Sequence, residues 1–155
     1  MSTLSPLLQV DNEISVIKFG AMAFAYLSEN LETHKKILKS QALNTLTMLI
    51  KKNSHFDINK YCVITLSNMA ESIDNYDTLL DLDIVEYIIV KELDISDHET
   101  QYYILRLLYK MSMFSEEKDH SMSLKLLRKE FLEPILRCIS GIDEKVIQMA
   151  IDLLR

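Results

Sequence analysis

The side chains that most often carry chemistry are thinly spread along this sequence, and the first of them are the histidines. They stand at His34, His55, His98 and His120. No two of them have the three- or four-residue spacing that places two metal ligands on one face of a helix. Surface or loop positions explain all four, so we expect no histidine metal site.

One mixed group has the residue types of a metal site. It consists of Glu116, Glu117, Asp119 and His120. Carboxylate and imidazole groups are common metal ligands, but a run of polar residues also suits a solvated loop. We favour the loop interpretation and expect no bound metal.

The sequence shows no motif for nucleophilic catalysis or phosphate binding. Cys62 and Cys138 lie in apolar helical contexts, where cysteine acts as a small hydrophobic residue in a reducing compartment. Gly20 and Gly141 stand alone and cannot form a glycine-rich phosphate loop. Neither a nucleophile elbow nor a Cys–His signature is present. We therefore predict a protein that is not an enzyme and uses no cofactor.

Acidic residues are concentrated in the middle of the chain. Between Asp57 and Glu99 there are eleven Asp or Glu and two Lys, a local net charge of −9, whereas the whole chain carries −6. Four of them surround one short predicted helix: Asp74, Asp77, Asp81 and Asp83. A solvated surface is the simpler interpretation, and a docking patch for a basic partner is the functional one. The negative net charge disfavours nucleic-acid binding, and the glycine and ligand spacing of an EF-hand are missing.

The composition is that of a globular all-α protein. The 155 residues are 48% apolar and 26% charged, with only 2 Gly and 2 Pro. So few turn-forming residues leave little material for β-hairpins. The apolar runs are short and interrupted by charges, so we expect no membrane span. The N-terminal residues suggest neither a signal peptide nor, because Ser2 follows Met1, a myristoylation site.

The central feature of the sequence is a period of forty-two residues. The segment Ile58–Ala70 has apolar residues at three- and four-residue steps, as in an amphipathic helix. Its pattern recurs at Val16–Ser28 and at Thr100–Ser112. The predicted inward positions are Ala21, Val63 and Leu105, then Phe24, Leu66 and Leu108, then Leu27, Met69 and Met111. A unit of this size cannot bury its apolar side alone, so consecutive units must stack.

Each repeat is predicted to hold a short, a medium and a long helix. The predicted helices are Glu13–Ser28, Glu32–Lys39, Gln41–Lys52, Asp57–Glu71, Asn75–Leu82, Ile84–Leu93, Asp97 or His98 to Phe114, Met122–Lys129, Phe131–Ser140 and Asp143–Arg155. Asp57 is the predicted N-cap of its helix, and loops are expected at 53–56 and 115–120. The Val and Ile content of Ile84–Leu93 would also suit a strand, but the repeat favours a helix.

These segments resemble the armadillo repeat family, whose third helix follows the pattern V-x-x-x-A-A-x-A-L-x-N-L-A. Ile58–Ala70 matches it through Leu66, Asn68, Met69 and Ala70. Val16–Ser28 matches it through Val16, Gly20, Ala21, Ala23, Phe24 and Leu27. The family's second-helix pattern, G-x-I-P-x-L-V-x-L-L, is echoed at Pro134–Ile139 and at Pro6–Val10. HEAT repeats, with two helices per unit, are the neighbouring alternative, and the extra short helix favours armadillo.

The resemblance implies an all-α fold, a right-handed α–α superhelix or solenoid of three to four three-helix repeats. We expect residues 1–155 to form one armadillo-like domain, with approximate repeats 1–30, 31–72, 73–114 and 115–155. Because the chain opens on what resembles a second helix, we expect a fragment or an end of a longer array.

The resemblance also implies a binding surface. In the armadillo family the third helices line a groove, and a ladder of Asn side chains holds the backbone of an extended partner. The ladder positions here are Tyr26, Asn68 and Lys110, and the positions four residues earlier, where nuclear-import adaptors carry Trp, are Met22, Ile64 and Arg106. These six residues are the predicted contact row. Since only one ladder position keeps Asn and the chain has no Trp, we do not expect a receptor for nuclear localisation signals.

Two functions remain open. The leading hypothesis is a non-enzymatic scaffold or adaptor that binds an extended peptide or a partner subunit along this groove. The alternative is a structural subunit of a large cytoskeletal or ciliary assembly, with contacts through the convex face and the solenoid ends near Leu8 and Leu153. Both imply protein partners and no nucleic acid. Both also imply a cytoplasmic location, with cytoskeletal association and the nucleus left open.

Overall fold

The computed structural model describes residues 4–52, 55–118 and 120–155, and all regular structure in these ranges is helical. The chain forms two compact units, Met1–Ser72 and Ile73–Arg155. The α-helices are α1 (Ile14–Ser28), α2 (Leu31–Lys39), α3 (Ala42–Lys52), α4 (Phe56–Met69), α5 (Tyr76–Asp81), α6 (Val85–Tyr87), α7 (His98–Lys118), α8 (Ser121–Leu126), α9 (Lys129–Ile139) and α10 (Glu144–Leu153). The predicted all-α class is therefore confirmed.

The first unit is built around the pair of long helices α1 and α4, which pack against each other. Ala21 and Phe24 on α1 and Val63 and Leu66 on α4 are fully buried, as their place in the repeat predicted. Burying a Val, Leu or Phe side chain stabilises a fold by roughly 1.5–3 kcal/mol. Leu27, also predicted as inward, is only half-buried.

A short 3₁₀ helix, Ser5–Leu8, packs on α1 at the position where Gly20 leaves room. A β-carbon at Gly20 would lie 3.0 Å from Leu7 Cβ and 3.2 Å from Leu8 Cδ2. Any larger residue would push this turn away from the helix. Asn12 Nδ2 donates to the carbonyl oxygen of Pro6 at 2.7 Å. This hydrogen bond stabilises the connection between the 3₁₀ helix and α1.

Polar contacts fix the start of α2 to the end of α1. Asn30 caps α2 by accepting a hydrogen bond from the Glu32 N–H at 2.9 Å. His34 Nε2 lies 2.8 Å from the Ser28 carbonyl oxygen, and the histidine is buried. The expectation of a surface or loop position was therefore wrong for His34, because its ring bonds to the last turn of α1.

In the second unit the long helix α7 packs against α10, and α8 and α9 surround this pair. Leu105, Leu108 and Met111 on α7 are fully buried, again as the repeat predicted. The segment Ile88–Glu92 continues α6 as a π-helix and packs against α9. The predicted segment Ile84–Leu93 is thus helical, although its hydrogen bonds are not all of the α type.

Several predicted helix bounds were wrong. The N-cap position of α4 is His55, and Asp57 lies inside the helix, where it binds Lys18 instead of capping. α7 continues to Lys118, so most of the loop predicted at 115–120 is helix. Ser115 lies in this last part of α7, and its buried hydroxyl accepts a hydrogen bond from the Met122 N–H of α8 at 2.9 Å.

Parts of two predicted features lie outside the described residues. These are Asn53 and Ser54 of the predicted loop before α4, and Asp119 of the mixed acidic group. Glu116 and Glu117, the other acidic members of that group, are exposed residues of α7. His120 is exposed and has a positive φ of 57°.

The ion pair between Lys18 Nζ and Asp57 Oδ2 joins α1 to α4. The hydrogen bond from Lys18 lowers the pKa of Asp57 below its usual value of 3.8. The same bond raises the pKa of Lys18 above its usual value of 10.5. The carboxylate therefore stabilises the folded chain above the unfolded pKa of Asp57, and this contribution is lost as the pH falls through the folded pKa. The ammonium contribution is present below the unfolded pKa of Lys18 and is lost as the pH rises through the folded one.

We expect Asp57→Asn to lower the urea midpoint at pH 7 and to have a smaller effect near pH 2.5, because the contribution of the wild-type carboxylate is lost as the pH falls through its lowered pKa. The measurement is urea unfolding of both proteins followed by circular dichroism at the two pH values. Asp11→Asn, which removes an exposed carboxylate from a loop, is the matched control. An equal difference between wild type and Asp57→Asn at both pH values would contradict this role for the pair.

Candidate functional site

In the first unit, α1 and α4 carry four residues of the predicted contact row. Tyr26 on α1 is 64% exposed, and Met22, one turn earlier, is half-buried. On α4, Ile64 is half-buried and Asn68 is only 7% exposed. Of these four residues, only Tyr26 on α1 is largely exposed.

The Asn68 side chain bonds to α1. Its Nδ2 donates to the Ser28 hydroxyl at 3.1 Å and to the Ala25 carbonyl oxygen at 3.3 Å. The Ser28 hydroxyl in turn donates to the same carbonyl oxygen at 2.7 Å. Asn68 thus closes a buried polar network between α1 and α4. Its predicted role as a ladder residue that holds a partner backbone stays a prediction.

A further aromatic residue belongs to this surface and escaped the sequence analysis. Phe19 on α1 is 61% exposed, and it stands three residues before Met22 and seven before Tyr26. These spacings place the three side chains on one stripe of the helix. We call Phe19, Met22 and Tyr26 the aromatic stripe. The signal was present in the sequence, because Tyr61 and Tyr103 follow Phe19 at the same forty-two-residue period.

In the second unit, α7 carries the other two residues of the contact row, Arg106 and Lys110, both half-buried. The Arg106 guanidinium lies over the Tyr103 ring, 5.8 Å from its centroid. Tyr102 and Tyr103 meet edge to face, with centroids 5.4 Å apart and planes at 77°. Cation–π and edge-to-face contacts of this kind hold the rings in defined orientations.

A cleft of about 830 Å³ opens between the first turns of α7 and α10. Its lining includes Glu99, Tyr102 and Tyr103 from α7, and Asp143, Glu144 and Gln148 at the start of α10. Asp143 caps α10, because its Oδ1 accepts from the N–H groups of Lys145 and Val146 at 3.0 and 3.1 Å. Its Oδ2 lies 3.9 Å from His98 Nδ1 across the cleft. This cleft was not predicted from the sequence.

The predicted acidic docking patch also lies in the second unit. Its four members, Asp74, Asp77, Asp81 and Asp83, are all exposed around α5. Asp77 forms an ion pair with Lys118 at 2.8 Å, and the Lys118 ammonium lies 5.2 Å from the centroid of the buried Tyr76 ring. Part of the charge of the patch is thus compensated within the unit. Binding of a basic partner there stays a prediction.

The two cysteines are buried and unpaired with each other. Burial raises the pKa of the Cys138 thiol to about 11, and it raises the pKa of the Cys62 thiol further above its usual range. The thiolate is the nucleophilic form of cysteine, so both residues act as core side chains.

The described residues contain neither a group of metal ligands nor a membrane-spanning helix. Within residues 4–52, 55–118 and 120–155, no three His, Cys, Asp or Glu side chains are placed to share a metal ion. No helix in the same ranges is both long enough and apolar enough to cross a bilayer.

Comparison with solved structures identifies the fold. A designed armadillo repeat protein superposes with a TM-score of 0.83 at 22% identity, and the match covers 99% of this chain and 62% of that protein. The fold is armadillo-like. A computationally designed armadillo protein for modular peptide recognition gives 0.83 at 23% identity, with 99% and 62% coverage. A third, in complex with the peptide (KR)4, gives 0.76 at 22% identity, again with 99% and 62% coverage.

This chain therefore spans about three fifths of the length of the designed proteins that it matches. Known family models give no match to the sequence. No curated protein matches it either. The similarity thus concerns the fold, and it agrees with the armadillo resemblance of the sequence.

The buried network of Asn68 leads to a stability prediction. Asn68→Ala removes the hydrogen bonds to Ser28 and Ala25 and leaves the Ser28 hydroxyl with fewer partners, so we expect a loss of about 1–3 kcal/mol in the free energy of unfolding. Urea unfolding measures this loss. Asn44→Ala, at an exposed position of α3, is the control and should change stability by less than about 0.5 kcal/mol. Equal stability of wild type and Asn68→Ala would refute the structural role.

Proposed function

We propose that this chain is a non-enzymatic scaffold that binds a segment of a partner protein on the outer faces of its long helices. The observation that carries this proposal is the aromatic stripe, because Phe19 and Tyr26 each leave more than half of their surface exposed on one face of α1. Exposed aromatic and Met side chains are enriched at protein interfaces and supply much of their binding energy.

The predicted contact row provides the rest of the surface in this proposal. Met22 on α1 and Ile64 on α4 are half-buried apolar side chains. Arg106 and Lys110 give the α7 face of the second unit two positive charges. Asn68 contributes by fixing the distance between α1 and α4, and we include it as a supporting member of the row.

The comparisons support a protein partner in general terms. One of the similar designed proteins was made for modular peptide recognition. Another was solved in complex with the peptide (KR)4. Armadillo-like folds mainly present surfaces for binding, and a fold alone does not determine which ligand is bound. We propose the cytoplasm as the location, since two buried free thiols suit a reducing compartment.

A structural subunit of a larger assembly is the second candidate, and a specific observation favours it. Leu124, Leu127, Leu136 and Ile142 of the second unit are large apolar side chains with substantial exposure. Leu127 and Ile142 lie in the connections that flank α9. Apolar groups there could contact neighbouring subunits of an assembly. Substitutions confined to the first unit leave these residues unchanged and so separate the two candidate functions.

The test compares two double variants of the first unit. Phe19→Ala with Tyr26→Ala removes the exposed aromatic groups, and we expect captured partners to bind roughly tenfold more weakly or worse. Leu31→Ala with Met48→Ala removes two exposed apolar side chains from α2 and α3 and is the matched control. Proteins retained from native lysate are identified by mass spectrometry and their affinities are then measured singly.

The pattern of losses decides between the candidates. The proposal requires partners whose binding is unchanged by Leu31→Ala with Met48→Ala. The same partners must lose their binding on Phe19→Ala with Tyr26→Ala. If partners bind both double variants as tightly as wild type, the α1 face is not the binding surface. The assembly candidate would then remain.

A further inference from the structure

The short helices α2 and α5 hold the same place in consecutive repeats, yet their exposed sides carry opposite charges. We propose that α2 of one copy of this chain binds α5 of a second copy through these charges. The acidic docking patch then has a basic partner of known identity, the lysines of α2. Neither helix belongs to the aromatic stripe, so this contact is separate from the proposed scaffold function.

The two helices have the same backbone course. α2 spans Leu31–Lys39, and forty-two residues later the 3₁₀ turn Ile73–Asn75 runs directly into α5, which ends at Asp81. Each helix is followed by a residue with a positive φ, Gln41 at 56° and Asp83 at 48°. Each exposed position of one helix therefore has a structural equivalent in the other.

The buried sides of the two helices also agree. His34 and Ile37 on α2 are buried, and so are the equivalent residues Tyr76 and Leu79 on α5. Because an α-helix turns once in about 3.6 residues, an equal inward register also fixes which positions point outward. The two helices thus present surfaces of similar shape.

The outward positions are reversed in charge. Lys35 and Lys39, one turn apart on α2, correspond to Asp77 and Asp81 on α5, and all four side chains are exposed. Residues four positions apart lie on the same face of a helix. Each helix therefore carries a pair of like charges on one face, and the two pairs have opposite signs.

The same contrast extends to the segments that follow the short helices. Residues 31–52 have five Lys against one Glu, a net charge of +4, whereas residues 73–94 have seven Asp or Glu against one Lys, a net charge of −6. Surfaces of opposite charge attract one another, and this attraction speeds and orients their encounter. A second copy of the chain supplies the complement of each surface.

The position of Asp81 favours a role in contact. It is the last residue of α5, where the helix dipole disfavours a carboxylate, and no basic residue stands in that last turn. Lys39, at the equivalent end of α2, is placed favourably for the dipole. Local helix stability thus explains the lysine but not the aspartate, whereas an ammonium group from a second copy would offset the cost of the aspartate.

One carboxylate of the patch already binds a lysine. Asp77 pairs with Lys118 of the same unit at 2.8 Å, so the outward side of α5 accepts an ammonium group in the folded chain. The charge of Asp77 is partly used by this pair. Asp74 and Asp81, both exposed, are consequently the carboxylates that we assign to the second copy.

The first measurement is the mass of the wild-type chain in solution. Exposed ion pairs contribute little each, so we expect a weak association that needs a high protein concentration. Analytical ultracentrifugation follows the weight-average mass at about 0.1 M and about 1 M salt, where the Debye length is about 10 Å and about 3 Å. We expect masses above that of the single chain at the lower salt only. A chain that stays monomeric there up to about 1 mM protein overturns the proposal.

Charge reversal then tests the two helices. Lys35→Glu with Lys39→Glu makes α2 acidic, and Asp74→Lys with Asp81→Lys makes α5 basic while the ion pair of Asp77 stays intact. Each double variant alone should associate about tenfold more weakly than wild type or worse. An equimolar mixture of the two should associate again, within about threefold of wild type, because each variant then meets a surface of opposite charge.

Net charge alone predicts the opposite result. Each Asp→Lys adds two charges, so Asp74→Lys with Asp81→Lys changes the net charge from −6 to −2 and lowers general repulsion. Stronger self-association of this variant than of wild type overturns the proposal, and so does a mixture that associates no more tightly than either variant alone.

The control is Lys129→Glu with Lys145→Glu, at exposed positions of α9 and α10. It changes the net charge as much as the reversal at α2 does and should stay within about twofold of wild type. Weakening equal to that of Lys35→Glu with Lys39→Glu means that net charge acts alone, and it overturns the proposal.

Neutral variants cover the case in which a charge reversal does not fold, as judged by circular dichroism. They are Lys35→Gln with Lys39→Gln and Asp74→Asn with Asp81→Asn, and each should also weaken the association. Wild-type association from a folded neutral variant overturns the proposal. All of these substitutions leave the aromatic stripe unchanged, so the scaffold function is judged separately.

An anionic lipid surface is the other ligand that suits the lysines of α2. Flotation with vesicles that contain phosphatidylserine compares the wild-type chain with Lys35→Glu with Lys39→Glu. Binding that depends on these lysines, together with a monomeric wild-type chain, assigns α2 to a membrane surface and overturns the proposal. Self-association without binding to the vesicles supports it.

Discussion

The burial of one apolar side of a long helix against another long helix is the constraint on which this protein depends. In the first unit α1 and α4 meet in this way, and in the second unit α7 and α10 do. Phe24, Leu66 and Leu108 hold the same place in successive repeats and are all fully buried. The short helices cannot replace this pairing, because α5 and α8 have six residues each and isolated helices of that length are unstable in water.

The paired helices serve as a constant frame for surfaces of different chemistry. In the first unit the Lys18–Asp57 ion pair and the Asn68 network hold the pair together, and the aromatic stripe is left outside. In the second unit Tyr103, Arg106 and Lys110 take the corresponding positions of α7, and a cleft opens between α7 and α10. The inward register is therefore kept while the outward positions vary.

The sequence predicted the fold well because the fold depends on periodic burial, and periodicity is visible in a single chain. The register of Ala21, Val63 and Leu105 was correct, and all three are fully buried. Helix ends were less accurate: α7 continues to Lys118, and His55 rather than Asp57 precedes α4. The environment of Asn68 could not be predicted either, because it depends on the direction of one amide relative to Ser28. The α7–α10 cleft arises from the spacing of two helices, which no local pattern encodes.

Amide hydrogen exchange of the full chain, followed residue by residue, tests the dependence on long-helix pairing most directly. If the pairs are the stable centres of the two units, the slowest-exchanging amides will lie in the middle of α1, α4, α7 and α10, and those of α5 and α8 will exchange much faster. Uniform exchange, in which the middle of α1 and α4 is no better protected than α5, would contradict the account.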